Sequence, residues 1–132
     1  VDFPFAIEVV ERNIQEDGAE LQTPADDLFV AFPPQSIIRA GQTQAIRLQW
    51  VGPPISRSRS FTLYVSELPI DLTGQQSGVS TLIKMGASIH VAAPRTSASP
   101  ILEAAQGSSE GVRVTLRNDG DRFMYINDVA LD

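Results

Sequence analysis

Of the 132 residues, 42% are hydrophobic, 20% charged and 7% aromatic, and 16 acidic side chains stand against 10 basic ones for a formal net charge of −6. That length fits one compact domain, or one domain and a fragment of a second. The acidic balance, with Lys84 as the only lysine, argues against a nucleic-acid binder, which needs a basic stripe to neutralise phosphates. No run approaches the roughly 18 apolar residues of a membrane-spanning helix, so no membrane insertion is expected. The chain contains no cysteine, which removes disulfides, zinc–thiolate sites and thiol chemistry. A single histidine, His90, removes a multi-histidine metal cluster and argues against acid–base catalysis. The expectation is a non-enzymatic protein with no cofactor and no metal.

Alternation with period 2 dominates the chain, and no segment holds a 3.6 period over ten residues. The first predicted strand runs over 3–12, with Phe3, Phe5, Ile7 and Val9 on one face and Glu8 and Arg12 on the other. Glu16-Asp17-Gly18 reads as a turn in which Gly18 supplies a positive φ. A short apolar strand over 28–32 stops at Pro33-Pro34, since proline cannot donate to a ladder. Ile37-Ile38 leads into a second turn at Ala40-Gly41-Gln42, and a strand over 44–50 follows. The next strand, 57–68, places Phe61, Leu63 and Val65 inward and Thr62, Tyr64 and Ser66 outward. A polar, Gly- and Gln-rich stretch over 71–78 reads as a mobile loop.

Val79 to Val91 is the longest uninterrupted strand candidate. At ~3.3 Å per residue it extends roughly 40 Å, about twice an ordinary strand. Ala92 to Pro100 reads as a linker. Beyond it, 111–116 and 122–129 read as two strands around a hairpin turn at Asn118-Asp119-Gly120. Many short strands with turn punctuation predict an all-β sandwich. About five strands are expected before the linker, fewer than the seven of an immunoglobulin-like sandwich, and the two after it are too few to bury a core.

The order of four segments resembles the PapD-like periplasmic chaperones of the chaperone–usher pathway: Leu28-Phe29-Val30-Ala31-Phe32-Pro33-Pro34, then Ala40 to Leu48, then Ser60 to Pro69, then Gly78 to Val91 with its Ala-Pro exit. The resemblance covers about 25–132 and takes in the first strand loosely. It implies an immunoglobulin-like β-sandwich, with an N-terminal immunoglobulin-like domain over 1–93, a linker over 94–100 and the beginning of a second immunoglobulin-like sandwich over 101–132. Two further strands would precede Val1 and most of the second sandwich would follow Asp132. It also implies a periplasmic protein that binds pilus or fimbrial subunits lacking their final strand, lends them its long seventh strand, and delivers them to an outer-membrane usher.

The residues of that strand suit such a role, because an open apolar groove takes alternate hydrophobic side chains plus main-chain N–H and C=O groups. Val79, Thr81, Ile83 and Met85 are the expected donated set; the competing account makes the same face ordinary sandwich core. The resemblance further implies a basic anchor for the subunit's C-terminal carboxylate, for which Lys84 and His90 are the candidates here, although Lys84 lies several residues before the family's lysine. Arg47 and Glu67 match positions of a salt-bridge network at the domain junction. A solvated charge for Lys84, a structural imidazole for His90 and a surface ion pair for Arg47 and Glu67 are the plainer accounts. Trp50 and Tyr64 read as packing or rim residues. The acids Glu16, Asp17, Asp26 and Asp27 lack the spacing of a calcium loop and read as solvated turns. The alternative function is a passive immunoglobulin-like structural or adhesive module, whose long strand is covered by its own chain.

Overall fold

A computed structural model describes residues 1–69, 81–128 and 130. Among these the regular structure is β-strand, with one 3-10 turn and no α-helix. The strands are β1 (Phe3–Ile14), β2 (Glu20–Pro24), β3 (Phe29–Phe32), β4 (Gln35–Ile38), β5 (Arg47–Trp50), β6 (Arg59–Glu67), β7 (Lys84–Val91), β8 (Pro100–Ser108) and β9 (Gly111–Asn118), with the 3-10 turn at Asp26–Leu28. Two compact units divide the chain: Val1–Pro53 with Ser60–Ile89, and Pro54–Arg59 with His90–Asp132.

In the first unit, β2, β1, β6 and β7 pair in that order, and β4 also pairs with β1. One edge of β1 is shared: Phe3 to Ala6 pair antiparallel with β4 and Val10 to Ile14 with β2. Along its other edge, Phe5 to Glu11 pair antiparallel with β6. The second sheet is β3 against β5. Alternation decides the core. Phe5 and Val9 on β1 and Phe61 and Leu63 on β6 are buried on the inner face, and Phe29 of β3 is buried against them. The Phe61 ring meets Phe29 edge-on at 4.9 Å and Trp50 at 5.7 Å, while Phe29 and Trp50 meet at 5.2 Å. This three-ring cluster joins the two sheets.

The predicted turns form where glycine permits them. Gly18 has φ +87° and donates its N–H to Gln15 O at 2.9 Å, and Gly41 has φ +75° beside a 2.9 Å bond from Gln42 N to Arg39 O. The acids behave as turn residues. Asp17 Oδ1 accepts from Ala19 N at 2.9 Å, and Asp26 Oδ1 accepts from Val9 N at 2.9 Å, fixing the 3-10 turn against β1. No group of acids or histidine among the described residues is arranged to hold a metal ion.

Three expectations need correction. First, the strand expected over 79–91 begins at Lys84, because Thr81 to Ile83 lack strand geometry; Val79, Ser80 and the loop expected over 71–78 lie outside the described residues. Second, among the described residues seven strands rather than about five precede residue 93. The fully exposed β2 was missed because Glu-Leu-Gln-Thr-Pro has no apolar alternation to read. Third, the hairpin at Asn118-Asp119-Gly120 does not form, and no strand follows it among the described residues. The second unit's hairpin is instead β8 against β9, turning at Ser109-Glu110 ahead of Gly111, whose φ is +148°.

Asn118 to Asp121 make a compact knot with the segment read as a linker. Asn118 Oδ1 accepts from Ser99 N and Gly120 N, each at 3.0 Å, and Asp121 Oδ1 accepts from Ser97 N at 2.9 Å. Main-chain bonds run from Asp119 N to Ser99 O and from Asp121 N to Ser97 O. Short polar side chains here satisfy the backbone locally, as they do in turns generally, and this competes with a hairpin.

Candidate functional site

β7 ends the sheet order in the first unit, so among the described residues one of its edges has no neighbouring strand. Glu67 N donates to Ile83 O at 2.8 Å, and Gly86 lies beside Thr62 and Tyr64. The strand therefore runs antiparallel to β6, with Ile83 opposite Glu67. In such a pair, N–H and C=O groups of alternate residues point to opposite sides. Those of Ile83, Met85 and Ala87 face β6, and those of Lys84, Gly86 and Ser88 face the open edge. At Ile83 the ladder ends on a side chain: its N–H donates to Glu67 Oε2 at 3.0 Å in place of a main-chain carbonyl.

The side chains divide between the faces in the same alternation. Ile83, Met85, Ala87 and Ile89 share the face of Val65, Leu63 and Phe61, the inner face. Yet Ile83 is 50% and Met85 52% exposed, and Leu82 on the opposite face is 51% exposed. The whole segment from Thr81 to Ser88 is exposed. Consecutive apolar residues at an open sheet edge are uncommon in soluble proteins, which usually guard such edges with charge, proline or a bulge.

The outer face of β7 is polar. Lys84 Nζ lies 3.8 Å from Glu8 Oε2 and 4.2 Å from the centroid of the Tyr64 ring, so its charge is taken up within its own sheet. Ser88 Oγ accepts from Arg12 Nη1 at 3.4 Å. Tyr64, expected as a packing residue, lies against Gly86 so closely that a Cβ there would sit 3.2 Å from its ring. Its hydroxyl accepts from Gln22 Nε2 at 2.8 Å.

Arg12 Nε donates to Glu20 Oε1 at 2.7 Å. This bond, followed by one from Gln22, holds the Glu20 carboxyl below its ordinary value of 4.5. A carboxyl held low in the folded state adds stability that is present above its unfolded value and is lost as pH falls through the folded one. Since the pair lies at the surface, the loss is local to β1 and β2. An NMR titration of Glu20 is expected to show its carboxyl moving back toward 4.5 in Arg12→Met; an unchanged titration midpoint sinks this assignment.

The remaining candidates are His90, Arg47 and Glu67. His90 belongs to the second unit, where its ring stacks on Phe123 at 4.0 Å and its Nε2 shares a hydrogen bond with the Tyr125 hydroxyl. Arg47 starts β5, opposite Phe32, whereas Glu67 ends β6 with its carboxylate on Ile83 N, and no ion pair between the two is formed among the described residues. Trp50 donates from Nε1 to Pro53 O at 3.2 Å and covers Gly52, where a Cβ would lie 2.6 Å from the ring. Sequence reasoning passed over Arg12, Glu8 and Gln22, which join the outer face across the sheet. Arg12 and Glu8 were at least legible as the polar face of an alternating strand.

No family model and no curated protein matches the chain. Solved structures do. A chaperone–tip adhesin complex of CFA/I fimbriae biogenesis is 18% identical, with a TM-score of 0.67 over 92% of this chain and 55% of that one. The class 5 fimbriae chaperone CfaA is also 18% identical, with a TM-score of 0.65 over 91% of this chain and 55% of that one. This chain thus spans about half the length of the structures it matches. In fold, it is an all-β protein with the immunoglobulin-like β-sandwich of the fimbrial chaperones.

Proposed function

We propose that the chain is the subunit-binding part of a periplasmic, non-enzymatic chaperone that caps fimbrial or pilus subunits by strand addition and passes them to an outer-membrane usher. The observation that carries this reading is the open edge of β7, where Ile83 and Met85 are each about half exposed beside main chain at Lys84, Gly86 and Ser88 that meets no strand among the described residues. Strand addition uses both elements: main-chain bonds for affinity and alternate side chains for specificity. Thr81, Ile83 and Met85 supply the described side chains of the donated set, with Val79 continuing the alternation in the sequence. The likeness to a chaperone from a chaperone–tip adhesin complex supports a subunit as the partner. In the same reading, 1–93 act as the N-terminal domain, 94–100 as its connection, and 101–132 as the start of a second sandwich.

The test combines a fimbrial subunit with this protein and reads hydrogen exchange at β7. Binding is expected to protect the Lys84, Gly86 and Ser88 amides, which face the open edge. Ile83→Asp should weaken binding by about 100-fold or more, since a carboxylate in an apolar groove has no partner there. Because Ile83 is already half exposed, that variant should keep the melting temperature of the parent. Protection of those three amides in the free protein, or full binding by the folded variant, would favour the passive structural module.

A further inference from the structure

A strand at the end of a sheet is held by one ladder, and from Lys84 to Ser88 β7 is exposed on both faces. What else holds it is visible on the outer face. Arg12 on β1 grips Glu20 on β2 at 2.7 Å and reaches across β6 to Ser88 on β7 at 3.4 Å. Gln22 on β2 donates to both Glu20 Oε2 at 2.7 Å and the Tyr64 hydroxyl at 2.8 Å. The Tyr64 ring on β6 lies against Gly86 and carries Lys84 at 4.2 Å, while Lys84 also meets Glu8 on β1. The chain of contacts is unbroken over four strands, β2 to β7.

We infer that this polar strap is a positioning device: Arg12 and Tyr64 hold β7 in its own sheet so that its open edge keeps the register an incoming strand must match. The inference rests on the reading of β7 as the edge offered to a subunit. The physical need is plain. A strand added to the free edge makes main-chain bonds of the same kind as those to β6, and the buried inner face does not grip this end of β7. Side chains that cross to β1 and β2 resist peeling in a direction the ladder alone does not. Gly86 fits the scheme, since a Cβ there would stand 3.1 Å from Thr62 Cγ2 and 3.2 Å from the Tyr64 ring, closer than the ring's present seat on the strand leaves room for.

Native-state hydrogen exchange of the free protein tests the strap. Arg12→Met and Tyr64→Leu are each expected to speed exchange at the Met85 and Ala87 amides, which face β6, by about fivefold or more, while Val9, bonded to Asp26, and Thr62, which faces β1, keep their rates. Ser88→Ala, which touches only the strap's far end, is expected to give a smaller change of the same sign. In complex with a fimbrial subunit, Arg12→Met should dissociate faster by a comparable factor. Unchanged exchange at Met85 and Ala87, an equal rise at Val9 and Thr62, or an unchanged dissociation rate overturns the inference. A protein that binds no subunit, yet loosens at β7 in these variants, overturns the proposed function and leaves the strap in place.

Discussion

Phe61→Ala is expected to cost about 3–5 kcal/mol of unfolding free energy, the range for deleting a buried aromatic ring. Phe61 is fully buried and touches both other rings of the inter-sheet cluster, Phe29 at 4.9 Å and Trp50 at 5.7 Å. The loss has two parts: apolar surface returned to water, and a cavity that two pleated sheets cannot close without shearing past each other. Edge-on and tilted ring pairs add about 0.5–1.5 kcal/mol each beyond their area. Against a total stability of about 5–15 kcal/mol for an ordinary domain, this removes roughly a fifth or more of the margin. Urea denaturation followed by the emission of Trp50, the only tryptophan, measures it directly. Phe61→Leu, which keeps most of the volume, should lose roughly 1–1.5 kcal/mol. A loss below 1 kcal/mol for the alanine variant would mean that the rings do not hold the sheets together.

Gly120→Ala is the second large effect, and it is confined to the other unit. A Cβ at this position would stand 2.2 Å from Ser97 O, 2.7 Å from Ser99 N and 2.9 Å from Ala98 C. All three are main-chain atoms, so no side chain can swing aside, and the 97–99 segment has to move as a whole. Moving it breaks the bonds that define the knot: Ser97 N to Asp121 Oδ1, Ser99 N to Asn118 Oδ1, Asp119 N to Ser99 O and Asp121 N to Ser97 O. It also disturbs Ser58 N on Asp121 O and Arg57 Nη2 on Gly120 O, which tie Pro54–Arg59 to this unit. On the order of 2–4 kcal/mol of local stability should be lost, as for other overpacked sites with broken hydrogen bonds. The measurement is amide exchange: Ser97, Ser99, Asp119 and Asp121 should lose protection while Val9 and Leu63 keep theirs. Retained protection at all four amides would show that the segment has room the geometry denies it.

These two sites differ in how far they could be foreseen. Phe61 was readable as core, because period-2 alternation with Leu63 and Val65 admits only one inward face. Gly120 was readable as a turn residue, but the partner it turns against was not. Asn118-Asp119-Gly120 has the composition of a hairpin turn, and only the main chain of Ser97 to Ser99, some twenty residues earlier, makes it a knot instead. The open edge of β7 shows the same divide. Its alternation and its apolar residues Ile83 and Met85 stand in the sequence. That the strand begins at Lys84, that Glu67 ends its ladder at Ile83, and that Lys84 answers Glu8 and Tyr64 depend on which strand lies beside it.

What the amino-acid order settled alone was therefore local: an all-β chain, the apolar faces of β1 and β6, the turns at Gly18 and Gly41, and the absence of cysteine and of clustered histidine. Each follows from chain geometry within a few residues, where side-chain period and backbone freedom act directly. Pairing order, the exposed β2, the β8–β9 hairpin and the strap from Arg12 to Ser88 were decided by the tertiary structure. A strand's neighbours are chosen by burial and hydrogen bonding across long sequence separations, and polar side chains such as Arg12 acquire a role only once that choice has placed β2 and β7 within reach.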